Sequence, residues 1–194
     1  MSTSSVGRID EAKDMNDVNH GNDGRDNRII YPETSSRRVL LRPATAADQA
    51  DFFRTVLRTG VESVRLPVGR PQGPPPRPDA AFQVVNKADG RVLGFSLLFG
   101  LDQAGHIRCG TYLDPELNRL GTGSEAIGLT INYAFAMFNV DRVITETTEA
   151  SLDSFGMRPD DSRILSTLND HLYFRGRYWN LYGFQVERSE WVAD

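Results

Sequence analysis

The spacing of apolar residues changes from segment to segment, and each spacing predicts one element. Residues 38–43 form a short apolar run that ends at Pro43, which predicts a first strand. Thr45 then has the character of a helix cap, and apolar positions at helical spacing continue as far as Leu57. The ordered part of the chain therefore opens with a strand followed by a helix.

Three antiparallel strands are predicted in the middle of the chain. Residues 81–85 and 92–99 are rich in β-branched and aromatic side chains, and the Asp89-Gly90 pair between them is typical of a hairpin turn. A third strand over residues 107–113 follows a short loop and extends the meander. These three segments predict the centre of a sheet.

A helix and a strand come next. From residue 123 to about 139 the apolar residues repeat at helical spacing, and residues 142–146 have a strand pattern. The intervening helix allows strands 107–113 and 142–146 to lie parallel, as in a right-handed crossover. The other predicted elements are a short helix near Ser151 and strands over residues 162–169 and 178–186.

Two segments lack such a pattern. Residues 1–36 are polar and charged with no apolar period, so we expect a loosely attached tail, with one domain over residues 37–194. Residues 66–79 contain six prolines, which excludes a helix or a central strand there. We expect this segment to be a surface loop with polyproline character.

Composition narrows the class of protein. The chain has 194 residues, a formal net charge of −4 and a single cysteine, Cys109, so neither an intrachain disulfide nor a multi-cysteine metal site is expected. The first residues lack the apolar stretch of a signal peptide, and no apolar run is long enough to cross a bilayer. We expect one cytoplasmic domain that binds no metal, has no membrane partner and is not a general binder of nucleic acid.

The candidate chemistry lies where a predicted strand passes through a glycine-bearing loop into a helix, over residues 112–126. The first N–H groups of a helix have no partner within it and lie at the positive end of its dipole, so they can bind a phosphate group. Gly121 and Gly123 allow the backbone to approach such a group closely. The order of elements indicates a site for a phosphate-bearing ligand.

This segment resembles the acyl-CoA pyrophosphate loop of the GCN5-related N-acetyltransferase (GNAT) superfamily. The family pattern is Arg/Gln-x-x-Gly-x-Gly/Ala, and here it is Asn118-x-x-Gly121-x-Gly123. The flanking Asp114-Pro115-Glu116 and Ser124-Glu125-Ala126, with residues 171–180 and 187–191, are similar to the branch of ribosomal-protein N-terminal acetyltransferases. The resemblance implies an α+β GNAT fold, with a central, mostly antiparallel sheet, a splayed parallel strand pair and flanking helices.

The resemblance implies acetyl-CoA or another acyl-CoA as co-substrate. Its pantetheine arm is expected in a gap between residues 111–113 and 143–145, where a neutral amine attacks the thioester and an N–H near Leu113 stabilises the oxyanion. Homodimers occur in this superfamily, so a homodimer is one expectation for this chain. The residues expected to bind the donor are Tyr112, Leu113, Asn118, Arg119, Leu120, Gly121, Thr122, Gly123, Ser124 and Ser151.

Candidate catalytic residues follow from the same resemblance and from residue type. The family's Asn-x-x-Ser matches Ser151-Leu152-Asp153-Ser154, which makes Ser154 the candidate proton donor to the departing thiolate. Glu146 and His171 are the candidate bases, with His106 and Asp170 as further candidates. The sequence also departs from the family pattern. Asn118 starts the loop, Ser151 replaces the family's Asn and Leu172 replaces a Glu. Gly156 and Pro159 interrupt the expected helix, and residues 160–163 replace the Gly-Phe pair that follows it.

Three functions are compatible with these residues. The first is an enzyme that acylates a primary amine of a small molecule or of a protein N-terminus. The second is a non-catalytic module that binds acyl-CoA, which the interrupted helix and Leu172 favour. The third is an enzyme with another donor, such as aminoacyl-tRNA or acyl-carrier protein, and the phosphate loop favours a phosphopantetheine donor among these. The sequence does not specify the acceptor.

Overall fold

A computed structural model describes residues 29–58, 62–63, 77–114, 116–117, 121–149, 152, 155–174 and 176–191. The helices in these ranges are α1 (Gln49–Arg58), α2 (Thr122–Met137) and α3 (Arg188–Trp191), and a 3-10 turn, Ala46–Asp48, precedes α1. The strands are β1 (Val39–Pro43), β2 (Glu62–Ser63), β3 (Ala80–Asn86), β4 (Val92–Phe99), β5 (His106–Leu113), β6 (Arg142–Thr148), β7 (Ile164–Phe174) and β8 (Arg177–Glu187).

The described strands form one eight-stranded sheet in the order β1-β3-β4-β5-β6-β8-β7-β2. All neighbours pair antiparallel except β5 and β6, which are parallel and are joined through α2. The prediction of a mostly antiparallel α+β sheet with one parallel pair is confirmed. Strands β7 and β8 extend beyond the predicted segments because they pair with each other almost to the hairpin turn, from Ile164↔Phe184 to Phe174↔Arg177.

Helix α2 covers one face of the sheet. Its apolar residues pack on Leu98, Ile107 and Val143 in one continuous buried cluster. Cys109 belongs to this cluster, and burial raises the pKa of its thiol to about 12. The cysteine is therefore a small, protonated core residue at neutral pH.

A short row of hydroxyl groups links α2 to the sheet. The Ser96 hydroxyl on β4 lies 2.8 Å from the Thr111 hydroxyl on β5 and 2.8 Å from the Thr130 hydroxyl on α2. Thr130 donates in turn to the carbonyl of Ala126, at 2.8 Å. Because each buried hydroxyl has a partner, the row fixes α2 relative to β4 and β5 without a desolvation penalty.

Helix α1 lies on the opposite face. Its Phe52 ring packs edge-on against Phe95 of β4 and Tyr112 of β5, at centroid distances of 5.6 and 5.7 Å. Before the helix, the Asp48 carboxylate accepts a hydrogen bond of 2.6 Å from the buried amide of Gln83 on β3. These contacts hold the start and the middle of α1 over the end of β5.

The predicted tail falls partly within the described residues. Ile30 packs on the cluster beneath α2, and the Tyr31 carbonyl accepts a hydrogen bond of 2.8 Å from Asn132 of α2. Residues 1–28, most of the proline-rich segment over 66–79 and most of the predicted helix near Ser151 lie outside the described residues.

None of the described helices combines the length and the apolar character that crossing a membrane requires.

Candidate functional site

The parallel strands β5 and β6 separate halfway along their length. They pair over four residues each, from His106↔Arg142 to Cys109↔Thr145, and the Thr145 hydroxyl donates to the Cys109 carbonyl at 2.9 Å. Beyond this point β6 stays paired with β8 and β5 stays paired with β4, but no described residue pairs with residues 110–113 on the β6 side. The backbone of β5 is therefore open to a ligand in a gap between the strands.

The gap lies further along β6 than its predicted edge at residues 143–145. Those residues are paired with β5, so the prediction for this edge is wrong, and the gap lies between residues 110–113 and 146–148. The parallel register is set by the packing of Ile107, Cys109 and Val143 on α2. The alternation of apolar and polar residues within each strand does not specify which residues of the two strands pair with each other.

Gly94 of β4 lies beside the end of β5 in the sheet. It is paired with Leu113, and a Cβ at this glycine would overlap the Tyr112 carbonyl oxygen and lie 2.8 Å from the Leu113 Cα. Both of these atoms belong to the backbone and cannot rotate away. Only glycine at position 94 therefore allows β4 to pair with β5 at the point where β5 separates from β6.

Helix α2 begins beside the end of β5. Gly121 precedes the helix with φ +84°, in the left-handed region that suits glycine, and the helix starts at Thr122. A Cβ on Gly123 would lie 3.6 Å from a methyl group of Leu113, which is an ordinary contact. The N–H groups of the first turn of α2, which have no partner within the helix, are therefore close to the open end of β5.

The structure describes six of the ten residues predicted to bind the donor: Tyr112, Leu113, Gly121, Thr122, Gly123 and Ser124. It brings these six together at the end of β5 and the start of α2. Asn118, Arg119, Leu120 and Ser151 lie outside the described residues, and so does Ser154. The donor-binding assignments stay predictions.

Arg38 adds a positive charge that sequence reasoning missed. Its Nη1 atom lies 2.5 Å from the position that a Cβ on Gly121 would occupy, and its Nε atom forms an ion pair of 3.0 Å with Glu125. Glu125 also accepts hydrogen bonds from the Ser36 hydroxyl at 2.6 Å and the Arg38 backbone at 2.9 Å. The start of β1 is therefore attached to the first turn of α2, next to the candidate phosphate site.

Glu125 makes stability depend on pH. Burial raises the pKa of its carboxyl, but the hydrogen bonds from Ser36 and Arg38 and the charge of Arg38 outweigh burial and hold the pKa below its ordinary value of 4.5. A carboxyl whose pKa is lower in the folded state stabilises the fold above its unfolded-state pKa, and this contribution is lost as the pH falls through the lowered value.

We expect Glu125→Gln to melt at a lower temperature than the wild type at about pH 7, because the variant lacks the ionised partner of Arg38. The difference in melting temperature begins to shrink as the pH falls below about 4.5, where the unfolded carboxyl takes up a proton, and it is lost below the lowered folded-state pKa, where Glu125 is uncharged in both states. Thermal melts of both proteins across this pH range measure it. A difference that stays constant down to about pH 3 contradicts the assignment.

Tyr112 and Glu146 lie on the sheet face opposite α2. The half-buried Tyr112 ring covers Gly110, and its phenol carbon Cζ lies 3.4 Å from where a Cβ on Gly110 would be. Burial, and after it the negative charge of Glu146, raises the pKa of the Tyr112 phenol. The phenol therefore stays protonated at neutral pH, beside an exposed carboxylate at the gap.

A second ion pair attaches α1 to the strand end where the glycine loop begins. Arg58, the last residue of α1, pairs with the buried carboxylate of Asp114 at 3.1 Å and also with Glu116. The other Asp114 oxygen accepts a hydrogen bond of 2.9 Å from the Glu116 backbone. The buried charge is thus balanced by one cation and one N–H group.

The other predicted bases lie elsewhere. His171 lies in the irregular part of β7 between Leu168 and Leu172, next to Asp170, whose φ is +49°. Strand β7 is two strands away from β6, about 10 Å. His106 lies at the opposite end of β5 from the gap, 3.5 Å from Asp102. Of the predicted bases, only Glu146 is thus placed beside the gap.

No group of three or more His, Cys, Asp or Glu residues that could hold a metal ion occurs within the described part of the chain.

No protein-family profile and no curated protein matches the sequence. Solved structures do match the fold. A GCN5-related N-acetyltransferase from Brucella melitensis is 25% identical, with a TM-score of 0.54, and the match covers 84% of this chain and 82% of that one. A GNAT-family acetyltransferase from Bacillus anthracis is 16% identical, with a TM-score of 0.55, and coverage is 81% and 99%.

A third match is the spermidine N-acetyltransferase from Vibrio cholerae in complex with CoA and spermine. It is 12% identical, with a TM-score of 0.60, and the match covers 81% of this chain and 99% of that one. The shared features are the mixed sheet with one parallel pair and the flanking helices. The chain therefore has the fold of the GCN5-related N-acetyltransferases.

Proposed function

We propose that the chain is an acyl-CoA-dependent N-acetyltransferase that acts on a primary amine. The observation that carries this proposal is the separation of β5 from β6 directly beside the N-terminus of α2. It combines an open strand edge, which can pair with the amides of a pantetheine arm, and helix N–H groups with no partner within the helix, which can bind a pyrophosphate. The GNAT-family structures with the same fold support the proposal.

The residues around the α2 N-terminus suit a donor of this kind. Gly121 and Gly123 have no side chains, so the backbone N–H groups are accessible, and the guanidinium of Arg38 supplies a positive charge beside Gly121. Asn118 provides no charge where the family pattern has Arg or Gln. Arg38 supports phosphate binding from a different element.

The reaction requires one bond to form and one to break. The amine nitrogen forms a bond to the acyl carbon, the carbon–sulfur bond breaks, and the proton lost by the nitrogen is balanced by one gained by the sulfur. The Leu113 N–H lies at the open edge of β5 and is our candidate to stabilise the oxyanion. Glu146 is our candidate to accept the proton from the nitrogen, directly or through water.

The release of free thiol from acetyl-CoA in the presence of primary amines tests the proposal. We expect thiol release that depends on both substrates, and mass spectrometry should show an amine product heavier by one acetyl group. A protein that binds acetyl-CoA but releases no thiol with any amine is instead a non-catalytic acyl-CoA-binding module.

Ser154 is our candidate proton donor to the thiolate, from its match to the family pattern. We expect Ser154→Ala to lower kcat while the KM for acetyl-CoA stays nearly constant, because the hydroxyl is needed only as the thiolate departs. Ser151→Ala is the matched control and should have a smaller effect. Steady-state kinetics of both variants with one accepted amine measures this, and an unchanged kcat for Ser154→Ala removes it from the mechanism.

A further inference from the structure

On the sheet face opposite α2, described apolar side chains lie on both sides of the Glu146 carboxylate. Thr111 and Thr145 lie on the α2 side of β5 and β6, so their neighbours Tyr112 and Glu146 lie on the other side. Thr148 lies on the same side as Glu146. Its partner on β8 is Leu181, and the partner of Leu181 on β7 is Leu168, so the three side chains form a row across the sheet. We call Phe52, Tyr112, Glu146, Leu181 and Leu168 the acceptor face.

The charge of Glu146 has no ion-pair partner within the described part of the chain. Glu146 is exposed and forms no ion pair with any described residue. Arg142 lies on the same side of β6, four residues before Glu146 at the other end of the strand. It is paired with Glu187 at 3.4 Å. The Glu146 carboxylate therefore attracts a cation to the mouth of the gap.

Apolar side chains flank the carboxylate in both directions. On the β5 side are the rings of Tyr112 and Phe52, and the neighbouring Phe53 ring is 51% exposed. On the β8 side are Leu181 and Leu168, and Leu168 is 45% exposed although it lies well inside a strand. Two strand spacings, about 10 Å, separate Leu168 from β6.

We infer that the acceptor is a small primary monoamine with an aromatic or branched apolar group, an inference that rests on the proposed function. Its nitrogen lies at Glu146, and its hydrocarbon part extends over Leu181 towards Leu168. Burying hydrocarbon there is favourable. A polyamine would place its second ammonium over leucine side chains, where it loses hydration.

The acceptor panel that tests this contains phenethylamine, 3-methylbutylamine, spermidine and a peptide beginning with alanine, each with acetyl-CoA and the full-length chain. We expect kcat/KM for phenethylamine to exceed that for spermidine by about tenfold or more, the size of effect that an apolar site provides. We expect 3-methylbutylamine to behave like phenethylamine.

A pair of leucine variants on β7 tests the apolar row. Leu168→Glu puts a second carboxylate into the row, and we expect it to raise the KM for phenethylamine about tenfold and to narrow the preference over spermidine. Leu165→Glu is the matched control, since Leu165 is also exposed, at 55%, but lies outside the row. The affinity of both variants for acetyl-CoA should equal that of the wild type, which shows that they are folded.

The outcomes separate the inference from the proposed function. Preferred turnover of spermidine or of the peptide, or equal effects of Leu168→Glu and Leu165→Glu, overturns the inference and leaves the N-acetyltransferase standing. Bound acetyl-CoA without thiol release for any amine overturns the proposed function itself.

Discussion

Gly123→Glu is expected to abolish the binding of acetyl-CoA, with a loss of affinity of at least about 100-fold, or about 2.7 kcal/mol. Gly123 lies in the first turn of α2, where the backbone N–H groups have no partner within the helix. A carboxylate in this turn occupies the phosphate site and repels the negative ligand. Isothermal titration of acetyl-CoA into the purified variant measures the loss.

Two further substitutions at Gly123 separate charge from size. Gly123→Ala adds only a Cβ, which fits at 3.6 Å from Leu113, so this variant should bind acetyl-CoA nearly as the wild type does. Gly123→Gln has the size of glutamate without its charge, and its affinity should lie between those of the alanine and glutamate variants. Wild-type affinity in Gly123→Glu shows that the donor's pyrophosphate binds elsewhere.

Gly94→Ala is expected to destabilise the fold by at least about 3 kcal/mol, at the upper end of overpacking effects. The new methyl group overlaps the Tyr112 carbonyl and lies 2.8 Å from the Leu113 Cα, so the end of β5 must move. Such a loss is a large share of the stability of an ordinary domain. Urea denaturation of the purified variant measures it.

Gly128→Ala is the matched control for Gly94→Ala. Gly128 lies within α2, and a Cβ there would have its nearest neighbour, an atom of Trp191, at 4.0 Å. Because alanine favours helix more than glycine does, this variant should be at least as stable as the wild type. A loss below about 1 kcal/mol for Gly94→Ala contradicts the close approach of β4 to β5.

Much of the fold could be predicted because its signals are local. The Asp89-Gly90 turn, the apolar period of α2 and the order of strand, glycine loop and helix each lie within one stretch of sequence. The absence of a side chain at Gly123 and the left-handed conformation of Gly121 likewise follow from residue type at one position. Local signals of this kind can be recognised in a single sequence, because they do not depend on which distant segments come into contact.

The parts that escaped prediction depend on contacts between distant segments. Arg38 and Glu125 are 87 residues apart, and the positive charge near Gly121 exists only because β1 lies beside the first turn of α2. The pairing of Arg58 with Asp114 likewise requires α1 to lie across the end of β5. The length over which β5 and β6 pair depends on the core beneath them, so the gap lies further along β6 than the sequence predicted.

The separation of β5 from β6 divides the sheet into two half-sheets, β1-β3-β4-β5 and β6-β8-β7-β2, in the described part of the chain. Four residue pairs form the seam between them, and α2 packs across it from below. A ligand in the gap completes the seam, so it contacts both half-sheets at once. Its binding free energy therefore adds to the stability of the whole domain.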